Sequence, residues 1–299
     1  MNRFKSGYIA IVGRPNVGKS TLLNALIGEK LAAVTDKPQT TRHRILGIKT
    51  TSAGQLLFLD MPGIHRPHKT LNEYMVAVAR TALEEADLFL FVVEPQSHLL
   101  ADGRAVFALI RKQGKPVILA INKSDKAGHD ALLPVMAMYQ QEFLPAAIVP
   151  TVATRGTGIP ELEQEILARL SEGPAYFPED QISDVSERFL AAETIREKAM
   201  AALREEIPYS LAVEIEKYEE PKEGDRKPVI RIRASIIVEK DSQKGIVIGK
   251  GGGMLKRIGT LAREEMESRL GQKVFLELFV RVEPDWTKDP NKVKEFAYS

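Results

Sequence analysis

Cysteine is absent from the 299-residue chain, so the sequence excludes disulfide bonds and thiolate metal sites. A chain without disulfides fits a reducing compartment. Long apolar runs are absent too. The first residues carry too short an apolar stretch for a signal peptide, and no segment approaches the roughly 20 apolar residues that a membrane-spanning helix needs. We therefore predict a cytoplasmic protein without a transmembrane segment.

Neither sign of charge dominates, because the chain contains 42 Lys and Arg residues and 40 Asp and Glu residues, which gives a net charge of +2. This balance argues against a protein that coats nucleic acid with its whole surface. The charge is nevertheless uneven, since residues 226–257 contain nine basic and two acidic residues. Such a basic stripe favours a directed contact with a polyanion, and a solvated charged strand is the alternative.

The first half of the chain alternates apolar runs with segments of helical length. The apolar runs are Tyr8–Val12, Leu56–Asp60, Leu88–Val93, Val117–Asn122 and Ala147–Ala153. Continuous apolar runs separated by helices predict parallel strands that are buried on both faces, as in a doubly wound α/β domain with a mostly parallel sheet. We expect this domain to occupy residues 1–172, with a last helix from about Ile159 to Leu170.

The pattern changes after residues 173–184, which contain two prolines and are predicted to be a linker. The domain expected over residues 185–299 begins with a helical pattern near Val185. Two alternating strands, a glycine loop, a helix and a final strand follow, over residues 210–218, 229–239, 249–252, 254–270 and 273–282. We predict a smaller α+β domain with the order α-β-β-α-α-β and a C-terminal tail.

The first glycine loop reads GRPNVGKS and matches the pattern G-x-x-x-x-G-K-[ST] between a strand and a helix. In such a P-loop, backbone N–H groups surround phosphate oxygens, and the helix N-terminus adds a favourable dipole. We expect Lys19 to reach the β- and γ-phosphates and the Ser20 hydroxyl to ligate Mg²⁺. The predicted nucleotide-binding residues here are Gly13, Arg14, Pro15, Asn16, Val17, Gly18, Lys19, Ser20 and Thr21.

The segment DMPG follows the second apolar run and is predicted to serve the γ-phosphate side of the nucleotide. Asp60 stands at the end of a strand, where its carboxylate can hold Mg²⁺ through water. Gly63 offers a backbone N–H to the γ-phosphate. The predicted nucleotide-binding residues of this segment are Asp60, Met61, Pro62 and Gly63.

The segment NKSD ends another strand on the same edge of the sheet, where such folds bind ligands. Asp125 can accept hydrogen bonds from guanine N1–H and from the guanine 2-amino group. Adenine lacks that amino group and presents an acceptor at N1, so it would be rejected. Asn122 and Lys123 are expected to brace the loop and cover the ring. The order of the three motifs therefore predicts GTP and GDP as ligands.

The second glycine loop contains Gly249-Lys250-Gly251-Gly252. It fails as a phosphate loop, because the spacing from Gly245 is one residue short and Gly251 replaces the required Ser or Thr. It matches instead the GxxG loop of a KH domain, which clamps about four nucleotides of single-stranded nucleic acid. We expect an apolar floor for the bases from residues 246–249 and 230–239. The predicted RNA-binding residues are Gly249, Lys250, Gly251, Gly252, Lys256 and Arg257.

Taken with these motifs, the sequence resembles the Era-like family of the translation-factor-related GTPases, which carry a C-terminal KH domain. The resemblance covers nearly the whole chain through GRPNVGKSTLLN, KPQTTRHRI, DMPG, NKSD and KGIVIGKGG. It implies a Mg²⁺-dependent GTPase that binds small-subunit ribosomal RNA near its 3′ end and assists assembly of the 30S subunit. Members of the family have also been found at the membrane, which implies a peripheral association with its cytoplasmic face.

The resemblance also implies roles for two further residues of this sequence. Thr41 is expected to close on Mg²⁺ in the triphosphate state, and the Ala153 N–H is expected to meet guanine O6. The chain departs from the family at Met61, where Thr is usual, and at Val152, where Ser is usual. The predicted metal ligands are Ser20, Thr41 and Asp60.

Hydrolysis is predicted to be slow, because Ile64 stands where Ras-like enzymes carry the glutamine that orients the attacking water. Asn16 either supports K⁺, as in some related GTPases, or stabilises the turn. The predicted catalytic residues are Asn16, Lys19, Thr41 and Gly63. A signalling GTPase whose C-terminal domain binds protein or membrane remains the alternative, whereas NKSD opposes a metabolic phosphotransferase.

Overall fold

The computed structural model describes residues 4–37, 40–62, 81–96, 101–224 and 228–297. These residues form two compact units. The second unit contains the residues from Val185 onward and also the segment Ala33–Thr40, apart from residues 38 and 39. The sequence pattern gave no sign that a segment so near the start of the chain belongs to the second unit.

The first unit is built on a six-stranded sheet with the order β2-β3-β1-β4-β5-β6. All neighbouring strands are parallel except β2 and β3, which are antiparallel. The strands are β1 Lys5–Gly13, β2 Ile45–Thr51, β3 Gly54–Asp60, β4 Leu88–Val93, β5 Val117–Ile121 and β6 Ala147–Pro150. The predicted doubly wound, mostly parallel sheet is confirmed, and β2 is an additional edge strand.

Within the described residues, four helices accompany the sheet. They are α1 Lys19–Ile27, α2 Ala101–Arg111, α3 His129–Phe143 and α4 Ile159–Arg169, together with helical residues 81–85. Fully buried aromatic and aliphatic side chains of the central strands form the core with α2 and α3. The loops that follow β1, β3 and β5 therefore emerge at the carboxyl edge, where open α/β sheets bind ligands.

Residues 173–184 pack on the first unit although the prolines predict a linker. The Gln55 side chain accepts hydrogen bonds from the backbone N–H groups of Tyr176 and Phe177 at 2.7 and 3.0 Å. The Ser183 hydroxyl donates to the Leu46 carbonyl at 2.6 Å. These partly buried polar contacts hold the segment against β2 and β3, which composition alone does not predict.

The second unit has a three-stranded sheet with the order β7-β8-β9, in which β7 is antiparallel and β9 parallel to β8. Its elements are α5 Glu187–Ala202, β7 Ala212–Glu219, β8 Val229–Val238, α6 Asp241–Ile248, α7 Gly253–Leu270, β9 Lys273–Val282 and α8 Pro290–Ala297. The predicted order α-β-β-α-α-β is confirmed, and α8 follows it. Among the described helices, none is long and apolar enough to cross a membrane.

Candidate nucleotide and RNA sites

The P-loop joins β1 to α1, and its shape depends on Gly18. This residue caps α1 in the left-handed region, with φ at +94°. A Cβ atom there would lie 2.3 Å from Asn122 Nδ2, which is closer than atoms can approach. Glycine is therefore required both by the backbone conformation and by the neighbouring guanine-binding loop.

Lys19 is the first residue of α1 and is buried beneath the loop. Its ammonium donates to the carbonyls of Gly13 and Arg14 at 3.2 and 3.0 Å. Burial lowers the pKa of Lys19 to about 8, and the nearby Asp60 carboxylate opposes that shift. A bound phosphate would stabilise the charged form, because it adds negative charge beside a desolvated ammonium.

We expect nucleotide binding to take up protons through Lys19. Above pH 8 the free protein holds this amine mostly neutral, whereas the complex holds it charged. At pH 8.5 the number of protons taken up should be well above zero, and affinity should fall as pH rises further. Calorimetry of GDP binding in buffers of different ionisation enthalpy measures this number. Lys19→Arg stays charged and should lose the uptake; an equal uptake in both proteins would assign it elsewhere.

The three predicted metal ligands converge at the start of α1. The Ser20 hydroxyl donates to Asp60 Oδ2 at 2.6 Å, and its oxygen lies 2.8 Å from Thr41 Oγ1. Burial raises the pKa of Asp60, whereas hydrogen bonds from Ser20 and Thr41 and the charge of Lys19 lower it. A cation beside this carboxylate would favour its ionised form further.

This set of oxygen atoms fits Mg²⁺. Asp60 is fully buried, and its second oxygen, Oδ1, has no hydrogen-bond partner among the described residues. Mg²⁺ is typically held by one or two protein oxygens together with phosphate oxygens and water rather than by a cage of side chains. Consistent with this, the described residues contain no cluster of three or more His, Cys, Asp or Glu side chains suited to a metal ion.

The predicted guanine-binding loop, residues 122–125, follows β5, and the Asn122 side chain connects it to the P-loop. The side-chain amide donates to the Val17 carbonyl at 2.9 Å, and its oxygen accepts the Ala153 N–H at 3.1 Å. One buried side chain thus joins three loops. The predicted contact of the Ala153 N–H with guanine O6 remains a prediction, because that N–H points to Asn122 in this structure.

The Lys123 side chain also connects loops at the carboxyl ends of the strands. Its ammonium donates to the Asn16 carbonyl and to Glu94 Oε1, both at 2.7 Å. Arg155 lies 3.5 Å from the Asp125 carboxylate. The sequence motifs do not include Glu94 or Arg155, which stand at the end of β4 and after β6. Their position at strand ends on the ligand edge is the signal that could have identified them.

Several predicted residues have roles that the motif alone does not give. Met61 is buried in the hydrophobic core, so its side chain packs instead of meeting the nucleotide. The Arg14 side chain lines a pocket with Glu94, Gly103 and Tyr139, which leaves its backbone for the phosphates. Gly63 and Ile64 lie outside the described residues. Of the remaining predicted residues, Pro15 and Pro62 lie in loops and Thr21 lies in the first turn of α1.

In the second unit, the GxxG loop separates α6 from α7. Gly251 and Gly252 have φ angles of +59° and +76°, and no atom lies within 4 Å of the place where a Cβ would stand on either residue. The open space allows a sugar-phosphate backbone to approach. Lys250, Lys256 and Arg257 are exposed beside the loop and form no ion pair with a described residue, so their charges are available to phosphates.

A groove of about 360 Å³ runs from this loop between α7 and β9. It is lined by Gly252, Leu255, Lys256, Gly259, Thr260, Arg263, Leu276 and Leu278. The apolar part of this lining comes from α7 and β9. The alternating apolar residues of β8 are buried in the core, which corrects the prediction that residues 230–239 supply a floor for bases. Ile246 is exposed, so the contribution of residues 246–249 stays a prediction.

Gly259 is the residue of this groove that sequence reasoning could have found. It interrupts a helical pattern, and an isolated glycine there suggests a close approach. A Cβ at this position would lie 3.2 Å from Leu278 Cδ1, so a larger side chain would narrow the groove. The groove has the size and apolar floor to receive bases whose phosphates follow the glycine loop.

Comparison with known families and proteins matches both units. The model of the 50S ribosome-binding GTPase family matches residues 8–123, and the KH domain model matches residues 206–287. GTPase Era of Geobacter metallireducens is 47% identical over 298 residues, which cover 100% of this chain and 99% of that protein. GTPase Era of Syntrophus aciditrophicus is 49% identical over 296 residues, which cover 99% and 96%.

Two solved structures are similar over almost the full length. One is a crystal structure of Era in complex with MgGDPNP and nucleotides 1506–1542 of 16S ribosomal RNA; its TM-score is 0.93, its identity 43%, and the match covers 99% of both chains. The other is a variant of Aquifex aeolicus Era bound to GDP·AlF4⁻, with the same TM-score and identity and with 99% and 100% of the chains covered.

Proposed function

The chain belongs to the Era family of GTPases, and on that premise we propose that it is a GTP-switched, RNA-binding assembly factor of the small ribosomal subunit. It hydrolyses GTP to GDP and phosphate. Its KH domain binds single-stranded ribosomal RNA near the 3′ end of the small-subunit RNA and so acts on the 30S subunit. Its place of action is the cytoplasm.

The observation that carries this proposal is the presence of two glycine loops with opposite surroundings. The P-loop is closed over a buried lysine and a buried carboxylate, as a triphosphate with Mg²⁺ requires. The loop at Gly251 is open and flanked by exposed basic side chains, and it leads into a groove lined by leucine side chains together with Lys256, Thr260 and Arg263. A relative 43% identical to the chain is in complex with MgGDPNP and with 16S ribosomal RNA, which supports both ligands.

Each predicted residue has a proposed role in the GTPase reaction that follows from its position. Ser20, Thr41 and Asp60 would hold Mg²⁺, which supplies positive charge to the phosphates during hydrolysis. Lys19 neutralises the β- and γ-phosphate oxygens. Asp125 selects guanine, with Asn122 and Lys123 bracing the loop. The backbone of residues 13–18 surrounds the phosphates, and Gly63 is proposed to contact the γ-phosphate.

Crosslinking the protein to RNA in cells, followed by sequencing, tests the RNA target. We expect reads to concentrate near the 3′ end of the small-subunit ribosomal RNA. Reads distributed over all RNAs in proportion to abundance would overturn the assignment. Flotation with anionic vesicles tests the alternative membrane function, for which peripheral binding through the basic stripe would give salt-sensitive association without any RNA preference.

Asn16 is proposed to support K⁺ in the reaction. We expect hydrolysis to be faster in KCl than in NaCl at equal ionic strength. Because Asn16 has φ at +63°, alanine would add backbone strain, whereas Asn16→Gly removes the side-chain oxygen and keeps the turn. That variant should hydrolyse GTP equally in both salts. A wild type that shows no difference between the salts would leave Asn16 with the turn-stabilising role alone.

A further inference from the structure

Within the first unit, the Lys123 side chain connects the predicted guanine-binding loop to the P-loop through its hydrogen bond to the Asn16 carbonyl. The backbones of both residues lie in the left-handed region, with φ at +57° for Lys123 and +63° for Asn16. This region is unfavourable for residues that carry a Cβ, and such residues persist only where surrounding contacts hold them in place. The contacts of Lys123 therefore matter for the shape of both loops.

Glu94 supplies the opposite charge to the Lys123 ammonium. Its Oε1 accepts a hydrogen bond from Lys123 Nζ at 2.7 Å, and the two side chains are 26% and 31% exposed. A hydrogen bond between two ionised groups is roughly twice as strong as one between neutral groups. Because the lysine side chain is long and flexible, a fixed partner is needed to give its ammonium one position.

The backbone at Glu94 is itself held in place at the end of β4. The Glu94 carbonyl accepts hydrogen bonds from the Tyr139 hydroxyl at 3.0 Å and from the Gln96 N–H at 2.8 Å. One residue earlier, the Val93 carbonyl accepts the Asn122 N–H at 2.8 Å. Burial raises the pKa of Tyr139 to about 12, so its hydroxyl keeps its proton and remains a donor. The Glu94 carboxylate thus extends from a fixed point of the backbone.

Tyr139, Glu94 and Lys123 together form a connection from helix α3 to the P-loop at Asn16. We propose that Glu94 is a positioning residue for nucleotide binding, which acts through Lys123 to hold the guanine-binding loop and the P-loop together and so slows the release of GDP. This inference rests on the proposed role of Lys123 in bracing the loop. The lifetime of the GDP-bound state would then depend on a carboxylate that lies outside the three nucleotide-binding motifs.

The direction of the expected effect distinguishes positioning from simple electrostatics. Glu94 adds a negative charge at the edge of the sheet where the phosphates are proposed to bind. Removing that charge would by itself make the site more attractive to an anion and would slow the release of GDP. Loss of positioning has the opposite effect, because a Lys123 side chain without its partner no longer holds the two loops together. Faster release therefore indicates positioning.

The test is the rate at which the full-length protein releases a fluorescent GDP analogue into an excess of unlabelled GDP. Glu94→Gln keeps the size of the side chain and removes its charge, whereas Glu94→Ala also removes the acceptor. We expect release to be at least threefold faster in Glu94→Gln and faster again in Glu94→Ala. Unchanged or slower release in both variants would overturn the proposal.

Glu142→Gln is the matched control for these variants. It removes the carboxylate of another partly exposed ion pair of the first unit, in which Glu142 Oε1 lies 3.1 Å from Arg104 Nε. The net charge changes by the same amount as in Glu94→Gln, and GDP should be released at the wild-type rate. Release that is accelerated equally in Glu142→Gln and Glu94→Gln would show that net charge causes the effect and would also overturn the proposal.

Lys123→Met separates the role of Glu94 from that of Lys123. By itself it should speed the release of GDP, and adding Glu94→Gln should have no further effect, because Glu94 acts through Lys123. If Lys123→Met releases GDP at the wild-type rate, the proposed role of Lys123 in bracing the loop fails. If Lys123→Met speeds release but Glu94→Gln does not, or if the effect of Glu94→Gln persists in the Lys123→Met background, the positioning role of Glu94 is overturned.

Discussion

Replacing Asp125 by asparagine should weaken GTP binding at least about 100-fold and favour xanthosine triphosphate, a change of roughly 2.7 kcal/mol. In the proposed complex the carboxylate would accept hydrogen bonds from guanine N1–H and from the 2-amino group, whereas an asparagine amide would place a donor against that amino group. Xanthine carries a 2-oxo group, which accepts this donor. Competition of both triphosphates against a fluorescent guanine nucleotide gives the two affinities.

The control for this substitution is Asp130→Asn, which changes an exposed carboxylate in the first turn of α3. It alters the net charge by the same amount and should leave both affinities unchanged. Because Asp125 lies 3.5 Å from Arg155, the Asp125 variant also loses an attraction to that exposed guanidinium, which cannot account for a gain in xanthine affinity. Unchanged GTP affinity in Asp125→Asn would mean that the base is read elsewhere.

Replacing Gly251 by aspartate should abolish most RNA binding, with a loss of at least about 30-fold, or roughly 2 kcal/mol. The new carboxylate would stand in the open space beside Lys250, where phosphates must approach. It would repel them and cancel a neighbouring positive charge. GDP affinity should be unchanged, since the P-loop belongs to the first unit. Fluorescence anisotropy with a single-stranded RNA measures the loss.

Gly271→Asp is the matched control for this variant. Gly271 has φ at +63°, against +59° for Gly251, and no atom within 4 Å of a Cβ in either case. The backbone strain and the added charge are therefore the same, but Gly271 caps the opposite end of the 18-residue helix α7. Equal losses of RNA affinity in the two variants would show that strain or net charge causes them, and the RNA role of the GxxG loop would then be rejected.

Sequence reasoning succeeded where local pattern and spacing determine structure. β4 and β9 have the predicted bounds, because continuous apolar runs and strict alternation are strong signals. The P-loop and the guanine loop were predicted from motif spacing together with their positions at the ends of strands. The edge strand β2 was not predicted, because Ile45–Thr51 mixes apolar and polar residues without a clean period. Helix α8 was likewise missed in a short segment that contains a proline.

The rest of the site depends on contacts between residues distant in sequence. The link between Asn122 and Val17 joins residues 105 positions apart. The periodicity of apolar residues along the sequence does not predict contacts between residues so far apart. The prediction that β8 supplies an apolar floor for bases was wrong for a related reason: the helices of the second unit pack on its alternating apolar residues and bury them in the core.

GTP and RNA are proposed to bind to two different units of the chain. Binding free energies at two coupled sites must change reciprocally. Any effect of GTP on RNA affinity must therefore appear equally as an effect of RNA on GTP affinity.

The central claim is that nucleotide state controls RNA binding. The most direct test is to titrate an RNA fragment from the 3′ end of the small-subunit ribosomal RNA into the full-length protein loaded with GDP, and then into the protein loaded with a non-hydrolysable GTP analogue. We predict that the two affinities differ by about 5- to 150-fold, on the order of 1 to 3 kcal/mol of coupling. Identical affinities would mean that the chain carries two independent modules, and they would contradict the switch.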